Sequence, residues 1–333
     1  MNLHCLAKTT AYLTLFISQA SLAQTKFQAE TISTESILLT QVPEEKAILR
    51  TVKNRFGGQF TTGAGVGYES SFGSISGFIP LLQMPGQELF YFDGRLNFDT
   101  EDANPSGSAL VGYRQYSPEL NVVFGGYIGT DLRETDRKNT FSQIGVGFEA
   151  LGDPWEIRAN AYIPVGDRRE VIGESVILDA ASLNFQNHFL LYDATQSKVY
   201  EESLMGLEME GGIRLLDWAG GDLRGYLGTY LYDTPNGSGF IGFNSRLLAR
   251  ISDNFSTGLS LSADGQFGTN LVFTVGASFG GNAPATRDQT LDESILARLG
   301  DNLSRRSNVA VRQVTEAIAL NDLKVTNPVT GDP

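Results

Sequence analysis

The sequence predicts an all-β fold, a transmembrane antiparallel β-barrel of about 12 strands followed by a short helical plug or linker. Three observations predict it. Between residues 59 and 279 a train of segments, each about ten residues long, alternates apolar with polar or small side chains. Side chains in a strand alternate with period two, so each such segment has one greasy and one wet face. Beyond residue 25 no run approaches 18 consecutive apolar residues, which excludes a spanning helix and leaves strands as the means of crossing a bilayer. The amino terminus has the form of a secretory signal. Lys8 is its only formal side-chain charge, residues 11–22 are apolar around Leu13, Leu15, Phe16 and Ile17, and Ser21-Leu22-Ala23 places cleavage after Ala23.

Composition narrows the function. Cys5 is the only cysteine and lies within the signal, so the mature chain offers no disulfide, thiol nucleophile or thiolate metal site. The formal net charge is −13 and no basic cluster appears, which argues against nucleic acid as a partner. The 37 glycines and abundant Phe and Tyr suit a barrel with aromatic girdles. Acidic loops on such a barrel read as solvated faces.

After the signal peptide at 1–23, residues 24–55 carry Pro43-Glu44-Glu45-Lys46 and no alternation, and read as a periplasmic lead-in. The barrel is expected over 56–280, and a helical pore-threading linker and tail over 281–333. The first strand, 59–69, turns Phe60, Thr62, Ala64, Val66 and Tyr68 outward and Gly63, Gly65 and Gly67 inward. The second, 74–82, shows Ile75, Ile79 and Leu81 to lipid. The third, 88–99, sets Phe90, Phe92, Leu96 and Phe98 against lipid and Asp93, Arg95 and Asn97 in the lumen. Charges alternating with aromatics are of no use to a soluble sandwich core.

Strands four to six follow at 108–116, 121–131 and 140–150. The seventh, 155–163, opposes Trp155, Ile157, Ala159, Ala161 and Ile163 to Glu156, Arg158, Asn160 and Tyr162. The eighth lies at 206–215, and the ninth, 222–232, carries Arg224, Tyr226, Tyr230 and Tyr232 on its polar side. The tenth, 240–251, places Ile241, Phe243, Leu247, Ala249 and Ile251 opposite Asn244, Arg246 and Arg250. The last two show the pattern best. Phe255, Thr257, Leu259, Leu261 and Ala263 alternate with Ser256, Gly258, Ser260, Ser262 and Asp264, and Leu271, Phe273, Val275, Ala277 and Phe279 with Thr274, Gly276 and Ser278.

Link lengths alternate as an outer-membrane barrel requires, with short turns at Met84-Pro85-Gly86, Ser117-Pro118-Glu119, Gly152-Asp153-Pro154, 217–221 and Ser252-Asp253-Asn254. The other links are longer, except two that read as tight, near Ser71 and Gly265. Within 165–203, Leu183, Phe185, Phe189, Leu191 and Tyr192 hint at a strand, but a spanning strand there would break the alternation. An outer loop folded over or into the mouth is the preferred reading. Beyond Gly280-Gly281-Asn282-Ala283-Pro284, Thr290-Leu291-Asp292-Glu293 matches a capping box ahead of Ile295, Leu296 and Leu299, predicting a helix of about ten to fifteen residues that ends near Gly300 or Ser307. Residues 309–320 fit either a strand or a helix.

A resemblance rests on five runs: Phe92-Asp93-Gly94-Arg95-Leu96-Asn97-Phe98-Asp99, Leu110-Val111-Gly112-Tyr113-Arg114, Gly125-Gly126-Tyr127, 141–150 around Ile144-Gly145-Val146-Gly147 with Glu149, and Arg158-Ala159-Asn160-Ala161-Tyr162-Ile163-Pro164. Together they resemble the barrel of inverse autotransporters, the intimin and invasin family, over 56–312. The Arg305-Arg306-Ser307-Asn308 stretch is similar to that family's segment just after the barrel. The resemblance implies a twelve-stranded barrel in a bacterial outer membrane, whose carboxy-terminal linker passes back through the pore to present an adhesive passenger. This sequence departs from the family in lacking a peptidoglycan-binding module of the usual length and any passenger-like segment.

The expected function is therefore that of a translocator and anchor in the outer membrane of a Gram-negative-type bacterium, with a general porin or solute channel as the alternative. Its partners would be membrane lipid, barrel-assembly machinery and periplasmic chaperones during insertion, and a host or cell-surface ligand reached through a passenger. Asp93, Arg95, Glu156, Arg158, Asn160, Arg246 and Arg250 are the expected lumen-facing residues, meeting a linker that carries Asp292, Glu293, Arg298, Arg305 and Arg306. No catalytic residue, metal site or cofactor is expected. His188 is the one histidine of the mature chain and lacks a partner pattern for general-base chemistry, and Gly63-x-Gly65-x-Gly67 has no helix after it to hold a phosphate.

Overall fold

Alternation with one oily and one wet face has a closed solution, because a ring of strands leaves no unpaired edge in lipid. The computed structural model, which describes residues 51–235, 237–281 and 291–326, adopts it. Twelve antiparallel strands close in the order β1-β14-β13-β12-β11-β10-β7-β6-β5-β4-β3-β2. They are β1 (Arg55–Thr62), β2 (Phe72–Met84), β3 (Glu88–Asp99), β4 (Pro105–Ser117), β5 (Val122–Glu134), β6 (Thr140–Leu151), β7 (Trp155–Val165), β10 (Met205–Trp218), β11 (Gly221–Asp233), β12 (Phe240–Ser252), β13 (Phe255–Asp264) and β14 (Gly268–Gly280). Strands β8 (Arg169–Gln186) and β9 (Phe189–Ser203) stand outside this ring, and with β15 (Val311–Lys324) form a separate three-stranded sheet in the order β15-β9-β8. Between barrel and β15 lie a short helix, α1 (Leu291–Ala297), and a 3-10 turn, Arg298–Gly300.

The outer surface is apolar. Phe243 is 65% exposed, and Leu259 and Phe273, paired across β13 and β14, are likewise exposed rather than buried in a core. Trp155 and Trp218 sit exposed near the turn end, where aromatic side chains suit a membrane interface. Such a coat around a closed ring is the wall of an outer-membrane barrel, and no helix among the described residues is long and apolar enough to cross a membrane.

Three expectations are corrected. The first strand ends at Thr62, so Gly63-x-Gly65-x-Gly67 is loop rather than strand: Gly63 and Gly67 have φ of +82° and +79°, and Gly65 bridges back to Tyr68. Val66 does not face lipid but is buried, and the link before β2, read as tight, is long. Residues 165–203 are not an irregular loop; they form the long β8–β9 hairpin, which leaves the loop alternation intact because it is not part of the ring. The helical run ends at Gly300 as expected, with α-helix over Leu291–Ala297 and a 3-10 last turn, and barrel arginines take the carbonyls at its end: Arg114 donates to Leu299 O at 2.8 Å and Arg55 to Gly300 O at 2.5 Å. Of residues 309–320, open between strand and helix, 311–320 fall in β15. The signal peptide, the lead-in up to residue 50 and the capping residue Thr290 lie outside the described residues, as do the side chains of Asp292 and Glu293.

Candidate functional site: the occupied bore

Inward-facing positions of the strands carry the polar set, and the bore they enclose is filled along one side by residues 294–310. The contacts run in chain order from the turn end to the loop end. At the turn end Ser294 Oγ donates to Asp153 Oδ2 at 2.7 Å, and Arg298 donates to Gly152 O at 2.6 Å and pairs with Glu156. Next, Arg114 donates to Asp301 O at 2.7 Å, and Arg250 lies 3.8 Å from the Asp301 carboxylate. Further along, Arg246 donates to Ser304 Oγ at 3.2 Å, Arg305 meets Asp131 in a two-point pair, and Arg306 pairs with Glu208 while its backbone N–H donates to Tyr162 Oη at 2.9 Å. Finally Asn308 Oδ1 accepts from Asn97 and Ser106, each at 3.0 Å, and Val309 O accepts from Arg133 at 2.8 Å. The chain thus traverses the barrel.

Two apolar collars bracket the charged belt. At the turn end Ile295, Leu299 and Leu303 pack with Val52, Phe78, Leu89, Tyr91, Leu110, Val123, Tyr127 and Leu151. At the loop end Ala310 packs with Val66, Leu204, Tyr230 and Tyr232. Here the loop after β1 crosses the outgoing chain so closely that a Cβ on Gly67 would sit 2.5 Å from Ala310 Cα; with its positive φ, the position requires glycine. Gly67 O accepts from both Arg133 and Val311 N, tying loop, barrel and outgoing chain together.

Between the collars, charges are paired out of bulk water. Arg114 is 0% exposed and donates to Glu149 at 2.6 Å, while Glu156 is surrounded by Arg298, Arg158 at 2.8 Å and Arg224 at 3.5 Å. Buried ions tolerate this only when countercharge and hydrogen bonds replace the lost hydration. Glycine again makes the space: a Cβ on Gly145 would lie 2.7 Å from the Arg305 guanidinium, so Gly145 leaves a recess for the linker's arginine, and one on Gly147 would meet the Tyr127 ring. The opposite wall, from β13, β14 and β1, bears Ser256, Gly258, Ser260, Thr274, Gly276 and Ser278; these are too short to reach the linker, and a cavity of about 460 Å³ remains there.

Of the residues expected at the site, Glu156, Arg246 and Arg250 touch the linker directly. Arg158 acts at one remove through Glu149 and Glu156, Asn160 accepts from Tyr127 Oη at 2.7 Å, and Asp93 and Arg95 line the cavity. Among the described residues these four make no direct hydrogen bond or ion pair to residues 291–310. Asp131 and Glu208, the partners of Arg305 and Arg306, were not singled out, although both lie on the wet face of their strands. Among the described residues no group of three or more His, Cys, Asp or Glu is placed to hold a metal. His188 stands exposed in the turn between β8 and β9 with its ring beside Phe189.

No family model matches the sequence, and no curated protein matches it significantly. Solved structures do. A protein from a study of the mechanism behind in-meso crystallization of membrane proteins aligns with TM-score 0.55 at 12% identity, covering 79% of this chain and 100% of that one. The KdgM porin aligns with TM-score 0.35 at 10% identity over 69% of this chain and 99% of its own. An outer membrane channel from Pseudomonas putida F1 gives 0.38 at 10% identity, over 72% and 98%. At such identities the likeness reaches the fold: this is a closed, 12-stranded antiparallel barrel of the outer-membrane type.

Proposed function

We propose that this barrel is the translocator and anchor of an inverse autotransporter, passing its own carboxy-terminal segment through the bore and holding it at the cell surface. The observation that carries the reading is the ordered set of contacts from Ser294 at the turn end to Val309 at the loop end. A segment held by charged and carbonyl groups from one end of the bore to the other is a resident of the pore, and a hydrated, charge-lined bore is what an unfolded polar chain needs to cross lipid. On this reading residues 1–23 are a signal peptide, 24–55 a periplasmic lead-in, 56–280 the barrel and 281–333 the threaded linker, with Asp93, Arg95, Glu156, Arg158, Asn160, Arg246 and Arg250 forming the wall that guides it. Insertion would use barrel-assembly machinery and periplasmic chaperones.

The test is conductance in planar bilayers together with exposure of an epitope tag appended after Pro333. The full chain conducts weakly, a variant lacking residues 291–310 opens, and intact cells bind antibody to the tag. A tag reached only after permeabilisation contradicts the reading.

A second reading, a general porin or solute channel, is favoured by the cavity of about 460 Å³ beside the linker. It requires steady conductance from the full chain equal to that of the deletion variant.

A further inference from the structure

The three-stranded sheet outside the barrel carries charges in rungs. In the first rung Arg169 of β8, Glu202 of β9 and Arg312 of β15 are direct register partners. Glu202 is 0% exposed; it accepts from Arg312 Nε at 2.9 Å and Nη2 at 2.8 Å and pairs with Arg169 at 2.9 Å. Four residues along β9, on the same face, the signs reverse. Lys198 is the register partner of Glu174 on one side and Glu316 on the other, and lies 3.7 Å from the Glu174 carboxylate. Tyr200 stands between the rungs, with the Arg169 guanidinium 3.5 Å over its ring and reaching on to Glu316.

Such a pattern specifies register. Moving β15 by one residue turns its side chains to the wrong face. Moving it by four in one direction sets Arg312 opposite Lys198; in the other it sets Glu316 opposite Glu202. Both shifts juxtapose like charges, which is unfavourable in a strand pair. The hairpin also needs the third strand, since an isolated two-stranded hairpin is at best marginally stable in water.

We propose that the β8–β9 hairpin is a strand-addition receptor that reads residues 311–324 as they leave the bore and locks them in one register through Glu202 and Lys198. The receptor rests on the proposed export through the barrel, and it gives the exported segment a reason not to slip back. Main-chain hydrogen bonds along β9 supply the binding, and the alternating rungs supply the selectivity.

Hydrogen exchange on the purified, folded full chain tests it, compared with Arg312→Glu and Glu316→Arg. In the parent, amides of Val311–Lys324 and Phe189–Ser203 are protected together. Each reversal raises their exchange by an order of magnitude or more in both strands, while β3 to β7 stay unchanged. Should β15 loosen without β9, or neither respond, the receptor is refuted. A second arm uses Ser197→Cys with Ala317→Cys, which are register partners. Oxidation forms that disulfide in the parent background, and the yield falls severalfold in Arg312→Glu; equal yields refute register reading. Because these measurements use folded protein, they can fail while the surface tag remains exposed, and failure of export leaves them readable.

Discussion

Arg298 of the 3-10 turn meets Glu156 of β7 inside the bore, two residues 142 positions apart in the chain and both nearly inaccessible to solvent. The pair joins the linker to the wall at the end where it enters. Glu156 also holds Arg158 and Arg224, so its carboxylate balances a local excess of positive charge.

Removing that carboxylate should unseat the linker. Glu156→Ala leaves three guanidinium groups facing one another with little water, and breaking a buried pair of this kind costs about 3–5 kcal/mol. We expect higher and noisier single-channel conductance, with the heat-resistant barrel retained. A channel as quiet as the parent would mean that the linker is held without this belt.

The recess at Gly145 should be equally sensitive. Gly145→Leu places carbon where the Arg305 guanidinium lies, and Arg305 can no longer make its two-point contact with Asp131. The expected outcome is loss of protection from exchange in residues 304–308 and a rise in conductance. Gly73, with open space around its Cβ position, serves as the matched control through Gly73→Ala.

How much of this was legible in the sequence follows from the range of each signal. The bounds of β3 are legible because charges alternate there with aromatics, an unambiguous period of two. Those of β1 are not, because Gly63-x-Gly65-x-Gly67 imitates the same period, while positive φ at its ends makes it loop. β8 and β9 show in the sequence only as a strand hint around Leu183 to Tyr192, because they belong to a sheet outside the ring and β9 finds its second partner 108 positions away at the Val311–Ser203 end, by subtraction of the paired numbers. The linker arginines Arg298, Arg305 and Arg306 are legible as charges in a segment expected to thread the bore. Their partners Asp131 and Glu208 are not, since a carboxylate on a wet strand face looks the same whether it faces water or a guanidinium.

The outer collar should control leakage at the mouth. Val66→Asp puts a carboxylate among Leu204, Tyr230, Tyr232 and Ala310, and an unpaired buried charge opens such a contact. Detergent-exclusion antibiotics should enter cells carrying this variant more readily than cells carrying the parent. Unchanged sensitivity would show that the collar does not seal.

The lipid-facing assignment has its own test. Phe273→Arg near the middle of β14 should destabilise the folded barrel in lipid by about 2–4 kcal/mol, whereas Thr274→Arg, facing the cavity, should cost little. Folding titrations in vesicles with urea read both. Equal costs would deny that the two faces differ.

Passage of the chain from the turn end to the loop end through the bore can be read by labelling single cysteines in intact cells. Ile318→Cys lies on β15 at an exposed position, and Asp253→Cys lies in the turn between β12 and β13. With a membrane-impermeant maleimide, the account predicts that the first is labelled in intact cells and the second only after permeabilisation. Labelling of both under the same condition would place β15 and the turns on one side of the membrane and contradict it.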